Sequence, residues 1–422
     1  MIGTGALRAL FSRTGGIGRA FSNRNFRIWT TGNVFSLIGT WIQRVAVGWL
    51  TWELTKSGAW LGLMASAEFL PSIFAGPLGG AVADRVDKVN LTRICQIVLG
   101  IQALVLGALT LAGSITPEIL FLLTLVFGIV TAFNQPSRLS LIAVLVRRED
   151  ISAAVAINSI MWNGARFVGP AIAGGLIVWV GVGWTFMVKA ATILIFLFSI
   201  SLLRLPPVPN RQATVSMWRE ITEGFAYVFR HPAIGPLLLV LVAGSVFARP
   251  FAELLPGFAD AVFGHGADGL AILTSATGLG AMIGGIWLGQ RGRLTGQTGI
   301  SITSTLLLSL GLLGFCATDV FWIGAASLVV AGFGMVVHGV TTQSLIQHAC
   351  DPAMLGRTLI IYGLSFRAGP ALGAIVMGAA SDFVGLRAPV AVGAVLCIAV
   401  WAWAITRRES LAAQLEATET EG

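Results

Sequence analysis

Apolar residues dominate this chain in twelve long runs separated by short polar turns. With approximate ends, the runs cover 27–54, 59–82, 91–113, 119–145, 154–179, 184–204, 234–260, 269–289, 297–317, 321–346, 358–381 and 386–406. Each is long enough, as a helix, to cross a hydrocarbon layer about 30 Å thick. One long interruption, 205–233, opens with Pro206, Pro207 and Pro209. It continues with Trp218, Ile221, Phe225, Val228 and Phe229 at helical spacing, opposite Arg219, Glu220 and Glu223. That pattern predicts an amphipathic helix lying on the membrane surface. The expected organisation is an all-α membrane protein of 12 transmembrane helices in two pseudo-symmetric halves. An N-terminal arm (1–26) precedes a six-helix half (27–204), the surface linker (205–233), a second six-helix half (234–407) and a tail (408–422).

Composition agrees. Hydrophobic residues make up 55% of 422 and charged residues only 11%, and mean hydropathy is +0.84. A soluble domain usually carries about 25% charged residues, so this chain cannot clothe a water-facing surface. The 52 glycines suit helices that approach closely in lipid. Residues 1–24 carry Arg8, Arg13, Arg19 and Arg24 without an apolar core before a cleavage site, which argues for a retained first helix.

The net charge of +8 invites a nucleic-acid reading that the placement of charge removes. Of 27 Lys and Arg, nineteen fall on one alternating set of loops, chain termini and adjoining run ends, and six lie deep within the runs. The other set holds only Lys56 and Arg387. By the positive-inside rule both termini are cytoplasmic, and the chain is expected as a multi-pass inner-membrane protein. Cys95, Cys316, Cys350 and Cys397 lack metal-ligand spacing and read as free thiols, and the four histidines are scattered. No metal or cofactor is expected. No nucleophile–base constellation points to an enzyme, and no G-x-x-x-x-G-K-[ST] loop points to ATP.

Three short segments repeat at nearly constant offset. Gly79-Gly80 answers Gly284-Gly285, Ser140-Leu-Ile142 answers Ser344-Leu-Ile346, and Gly169-Pro170-Ala171 answers Gly369-Pro370-Ala371. The offsets of 205, 204 and 200 indicate duplicated halves. The loop after the second run, Gly80-Ala-Val-Ala-Asp84-Arg85-Val-Asp87-Lys88, resembles the G-x-L-A-D-R-x-G-R loop of the major facilitator superfamily, with Asp87 in place of a glycine. In the second half Gly289 stands where Asp84 does. Several stretches resemble the branch containing enterobactin exporters and macrolide efflux pumps, of drug:proton antiporter type. They are Ser36-Leu-Ile-Gly39-Thr-Trp41-Ile-Gln43-Arg44, Glu53-Leu-Thr55-Lys-Ser57, Phe69-Leu-Pro71, Pro136-Ser-Arg138 and Arg166-Phe-Val-Gly169-Pro170-Ala. Gly164-x4-Gly169-Pro170-x3-Gly174-Gly175 resembles an antiporter motif whose spacers are each one residue shorter.

The resemblance implies a secondary active exporter of an amphipathic or lipophilic small molecule, such as a drug or siderophore, working as a monomer by alternating access. A lipid flippase, sensor or scaffold without proton coupling is the alternative. The loop residues Gly80, Asp84, Arg85, Lys88 and Arg93 are implied to latch the cytoplasmic side, where Asp84 could accept charge-assisted hydrogen bonds. Charges inside spans are costly and default to function. Arg44 and Glu68 fall at equal depth in the first two spans. Arg249 and Glu253 sit four apart in the seventh, beside Pro250 and Pro256, while Arg166 and Arg367 fall near the centres of equivalent spans. Trp41 is expected to line the cavity, Glu68 or Glu253 to carry the proton with His338 next in line, and Lys189 to snorkel outward.

Overall fold

A computed structural model describes residues 15–75, 79, 82, 86–203, 217–292, 295–352 and 354–416. They are helical almost throughout. The first unit of the chain contains α1 (Gly15–Ser22), most of α2 (Arg24–Thr55), α4 (Lys88–Leu111), α5 (Pro117–Leu145), α6 (Ile151–Val180) and α7 (Val182–Ser201). The second contains α3 (Gly58–Phe69), α8 (Met217–Arg230), a composite α9 over Ile234–Val262, α10 (Gly266–Arg291), α11 (Gln297–Ala317), α12 (Phe321–Ala349), α13 (Leu355–Val384), α14 (Arg387–Ile405) and α15 (Arg408–Leu415).

Helix ends follow local chemistry. Ser57 accepts from Trp60 N at 3.3 Å to start α3. Asp87 accepts from Asn90 N at 2.7 Å to start α4, and Thr116 caps α5 ahead of Pro117. Gly181 (φ 85°) and Gly385 (φ 78°) end α6 and α13 in a conformation that disfavours a Cβ, so the next helix follows almost at once. Their positions differ by 204, echoing the repeat.

Ten helices among the described residues are long and apolar enough to cross a membrane. Two more, α2 of 32 residues and α6 of 30, are comparable in length. They are less apolar because they carry Asn33, Gln43 and Arg44, and Asn158, Asn163 and Arg166. With them the long helices among the described residues are consistent with the expected twelve, and helix ends fall within about three residues of the runs read from sequence, the end of the second span excepted. The described residues therefore have the all-α architecture expected from the sequence.

Contacts group the residues as Met1–Val47 with Phe74–Ala213, and Gly48–Ile73 with Thr214–Gly422. In the first unit Phe26, Trp29, Leu141, Leu145, Phe196 and Ile200 form a buried cluster. In the second, Val228, Ile234, Leu237, Leu345, Ile346 and Leu411 form another, so the linker helix α8 is seated on this unit. Glu223 of α8 pairs with Arg357 at 2.8 Å. Phe229 of the same helix is exposed and stacks on Phe225, as a surface-lying helix requires. The side chains of 217–222 and the stretch 204–216 lie outside the described residues.

The duplicated segments have matching packing roles. A Cβ on Gly169 would lie 2.5 Å from Trp41 Cβ on α2, and one on Gly369 would lie 2.6 Å from Ser245 Cβ on α9. A Cβ on Gly79 would lie 2.6 Å from Ala132 O, and one on Gly284 3.1 Å from Phe333 O. Each glycine admits the equivalent neighbour of its own repeat. The composite α9 explains how its two prolines are accommodated. Gly244–Ala248 is a π turn in which Arg249 N donates to Gly244 O at 3.0 Å, immediately before Pro250. A second π turn, Phe258–Val262, follows Pro256. The four cysteines are buried and free.

Candidate functional site

The first unit encloses a cavity of about 290 Å³. It is built from polar residues recurring on single faces of otherwise apolar helices. Asn33, Ser36 and Thr40 lie on α2, Asn134 and Arg138 on α5, and Asn158 and Trp162 on α6. Gln96 of α4 and Lys189 of α7 complete the polar lining, and Leu37, Leu99 and Phe127 supply apolar wall.

Two cations share this space. Lys189 is 1% exposed and donates to Thr40 Oγ1 at 3.1 Å and Ser36 O at 3.5 Å. Gly39 makes that possible, since a Cβ there would meet Thr192 Oγ1 and the Lys189 stem. Arg138 donates to Asn33 Oδ1 and to Ser36 Oγ at 3.4 Å, with Cζ 4.8 Å from the Phe196 ring centre. Neither has a carboxylate partner among the described residues. Gln96 Nε2, Thr131 Oγ1 and Asn134 Oδ1, also on the lining residues, are buried with no hydrogen-bond partner among the described residues. Orphaned buried polar groups cost free energy, and transport sites are where such groups find partners.

Beside the cavity, three predicted residues come together. Arg44 Cζ lies 4.8 Å and Arg166 Cζ 5.8 Å from the Trp41 ring, which meets Trp162 edge-on at 6.2 Å. The indole faces offset part of the cost of holding two guanidinium groups in an apolar wall. Of the antiporter-like motif, Gly169 and Pro170 are buried at the α2 contact and Gly174 is also buried. At Gly164 and Gly175 an added Cβ would meet open space.

The second unit holds the acids. Arg249 stacks on Phe366 at 3.6 Å, and Glu253 follows one turn along α9, half-buried. Glu68 and Arg367 are also half-buried, near the end of α3 and within α13. His338 is buried in a hydroxyl cluster, with Nδ1 3.2 Å from Ser301 Oγ and 3.3 Å from Thr305 Oγ1, while Ser301 meets Thr342 at 2.9 Å. At the α2–α3 turn, Asp382 of α13 accepts from Gly58 N at 2.7 Å and Ser57 Oγ at 2.6 Å. Asp260 accepts from Trp52 Nε1 at 2.8 Å and Lys56 Nζ at 2.7 Å. Helices α3 and α13 approach so closely that a Cβ on Gly62 would strike Ala374 O.

Gly80, Asp84 and Arg85 of the loop motif lie outside the described residues. Lys88 begins α4, and Arg93 donates to Asn90 Oδ1 at 2.9 Å.

The profile of the transmembrane secretion effector family, a branch of the major facilitator superfamily, matches residues 19–420. The chain belongs to that family. It is a transporter, not an enzyme. Among curated proteins, macrolide efflux protein A of Streptococcus pyogenes is 22% identical over 368 residues, covering 86% of this chain and 90% of that one. The enterobactin exporter EntS of Shigella flexneri is 27% identical over 359 residues, 84% of each. Among solved structures, a bacterial homologue of the human lysosomal transporter Spinster aligns with TM-score 0.70 at 15% identity, over 92% of this chain and 97% of that one. A D-xylose–proton symporter aligns with TM-score 0.67 at 13% identity, over 92% and 98%. Both likenesses concern the fold.

For a transmembrane secretion effector, the sequence reading overlooked the cavity's main lining. Lys189 does not snorkel; its stem runs over Gly39 and its ammonium is held by α2. Arg138 had been noticed only within Pro136-Ser-Arg138. The available signal was the i, i+3, i+7 recurrence of Asn33, Ser36 and Thr40, a polar stripe on a membrane helix.

Proposed function

We propose that this transporter exports an amphipathic small molecule by alternating access, using the first-unit cavity as its substrate site and proton entry as its drive. One observation carries the reading: a polar cavity with partnerless buried groups, enclosed by helices that are otherwise apolar. Trp162 offers an apolar face in the lining, with Trp41 edge-on to it, and the amides offer hydrogen bonds of either sense. The names of the curated relatives, a macrolide efflux protein and an enterobactin exporter, support outward transport of a drug- or siderophore-like molecule.

Coupling is assigned to Glu68 and Glu253, the acids placed well inside the second unit's spans and away from their ends. Protonation would remove their charge while an arginine on the same or a neighbouring span keeps its own. The two six-helix halves divide at the 205–233 linker, both termini lie in the cytoplasm of the inner membrane, and the monomer is the working unit. The Asp84 loop closes the cytoplasmic side. At the opposite ends, Asp382 holds the start of α3, and Lys56 with Trp52 holds Asp260.

The test begins with the susceptibility and metabolite-export profile of a deletion strain. Flux of the molecule so identified is then measured in proteoliposomes with and without an imposed pH gradient. Gradient-stimulated export that is lost in Glu68→Gln or Glu253→Gln, with downhill exchange retained, is the expected result. Full gradient-driven transport in both variants would move coupling elsewhere, with His338 next. Reporter fusions at Asn210 and at the C-terminus should read cytoplasmic, and Asp84→Asn should lower export without lowering abundance.

A further inference from the structure

We propose that the first-unit cavity selects molecules bearing an anionic group, a carboxylate or another oxyanion, and seats that group between Arg138 and Lys189. The inference rests on reading this cavity as the substrate site and goes further by naming the substrate's charge.

The argument is one of uncompensated charge. None of the residues lining the cavity is acidic. Two of them carry positive charge, and Lys189 is 1% exposed with only neutral oxygen partners at 3.1 and 3.5 Å. Arg138 is likewise held by an amide oxygen, a hydroxyl and an aromatic face. Elsewhere in this unit the acids keep to helix starts and loops. Glu118 is in the first turn of α5, Asp87 caps α4, and Asp150 pairs with Arg19 at 3.1 Å. The same unit's spans also carry Arg44 and Arg166. A desolvated cation without a counter-charge is costly, and proteins ordinarily pair it. Here the counter-charge is supplied by the ligand.

The donor set fits an oxyanion. Arg138 presents a planar fork suited to two oxygens, Lys189 a compact ammonium, and Gln96 Nε2 a buried donor with no partner among the described residues. Trp162, in the same lining, gives an apolar body a face to rest on. A lipophilic cation would meet two like charges here. A neutral molecule would leave both uncompensated.

The experiment uses the full chain in lipid nanodiscs and two labelled probes of equal shape, 1-naphthoate and its neutral amide 1-naphthamide, by equilibrium dialysis. The parent protein is expected to bind the carboxylate at least tenfold more tightly. Lys189→Met and Arg138→Gln should erase the preference and Lys189→Arg should keep it. Should a neutralised variant fail to fold, Gln96→Glu, which sets a fixed carboxylate against both cations, should erase it as well. Equal affinity for the two probes, or a preference that survives every neutralising variant, overturns the proposal. Complementation of the deletion strain then separates the two claims. If Asn158→Ala and Trp162→Ala abolish export although the probes bind equally, the cavity remains the substrate site and only the anion class falls. If those variants also export normally, the cavity reading falls with it.

Discussion

The two units of this transporter distribute charge in opposite ways. In the first, the ionisable side chains deep within the spans are, among the described residues, Arg44, Arg138, Arg166 and Lys189, all basic. In the second, acids and cations are mixed: Glu68 and Glu253 accompany Arg249 and Arg367, and Asp260 and Asp382 sit at helix ends against donors. The difference assigns separate work to the two regions. A cavity lined by Arg138 keeps a positive charge for a ligand, because arginine does not titrate in the working range. On the proposed function, a region that holds carboxylates as well as arginines takes the proton, because a carboxylate can lose its charge where an arginine cannot.

The largest expected effect separates the two kinds of site by the form of the defect. Lys189→Met and Arg138→Gln should reduce both gradient-driven export and downhill exchange, by roughly a hundredfold if one charge-assisted contact of about 2–3 kcal/mol is lost. Glu253→Gln or Glu68→Gln should spare exchange and lose only the gradient's contribution. Thermal unfolding should diverge as well. Neutralising Lys189 removes a desolvated cation with no carboxylate partner, so the midpoint in detergent should hold or rise. A common pattern in both units, in flux and in midpoint, would erase the distinction.

Next in size is the acid of the second unit that is already satisfied. Asp382 accepts from the first backbone N–H of α3 and from the Ser57 hydroxyl, so it acts as a capping group contributed by another helix. Asp382→Ala should cost about 1 kcal/mol, read as a lower unfolding midpoint, while leaving the pH-gradient dependence of transport in place. Loss of gradient coupling in this variant would move Asp382 from the structural acids into the proton-carrying set.

The fold was legible because its signal is redundant. Twelve runs of apolar residues, a charge asymmetry and a glycine–proline repeat all point to one architecture, and lipid permits few others. The site was only partly legible. Arg44, Trp41 and Arg166 were each readable as candidates, because charges in spans are rare. The sequence set Arg44 beside Glu68 and Arg166 beside Arg367, and only the structure shows both arginines sharing the Trp41 indole. Lys189 was misread because depth along a helix says nothing of the direction its stem takes. That direction depends on Gly39, 150 positions earlier, leaving room on α2. The amides were missed for a related reason. Asn33, Gln96, Asn134 and Asn158 look unremarkable singly and acquire meaning only when four helices bring them to one space.

Any pH profile of transport must be read against His231, a titrating group of the second unit outside the spans. Its Nδ1 accepts from Ala233 N at 3.2 Å and Ile234 N at 3.1 Å, capping α9, and burial holds its pKa below the ordinary 6.5. A depressed folded pKa means the folded protein binds fewer protons, so this stabilisation is full above about 6.5 and is lost as pH falls through the folded pKa. Protonation also removes the accepting lone pair. His231→Asn should flatten that part of the stability profile and leave gradient-driven flux unchanged. If flux changes with it, the acid limb of the transport profile belongs to this cap and not to Glu68 or Glu253.

The smallest effect is expected at Asp260, where a visible ion pair invites overinterpretation. Lys56 Nζ lies 2.7 Å from the carboxylate, but the side chains are 58% and 32% exposed. Water and salt screen such a pair, and ordering the lysine stem costs entropy, so its worth is about 0–1 kcal/mol. The Trp52 indole donates to the same oxygen at 2.8 Å and is itself buried, so that bond is the more persistent of the two. Asp260→Asn keeps an acceptor for Trp52 while removing the charge that Lys56 sees. Its unfolding midpoint should therefore fall by no more than a degree or two, by the same screened estimate of at most about 1 kcal/mol. Raising salt should shrink the difference from the parent, whereas Trp52→Phe, which deletes the buried donor, should show no such salt dependence. An effect of Asp260→Asn as large as that of Glu253→Gln on gradient-driven flux would make this exposed acid part of the coupling route, and the division between structural and switching carboxylates in the second unit would fail at that residue.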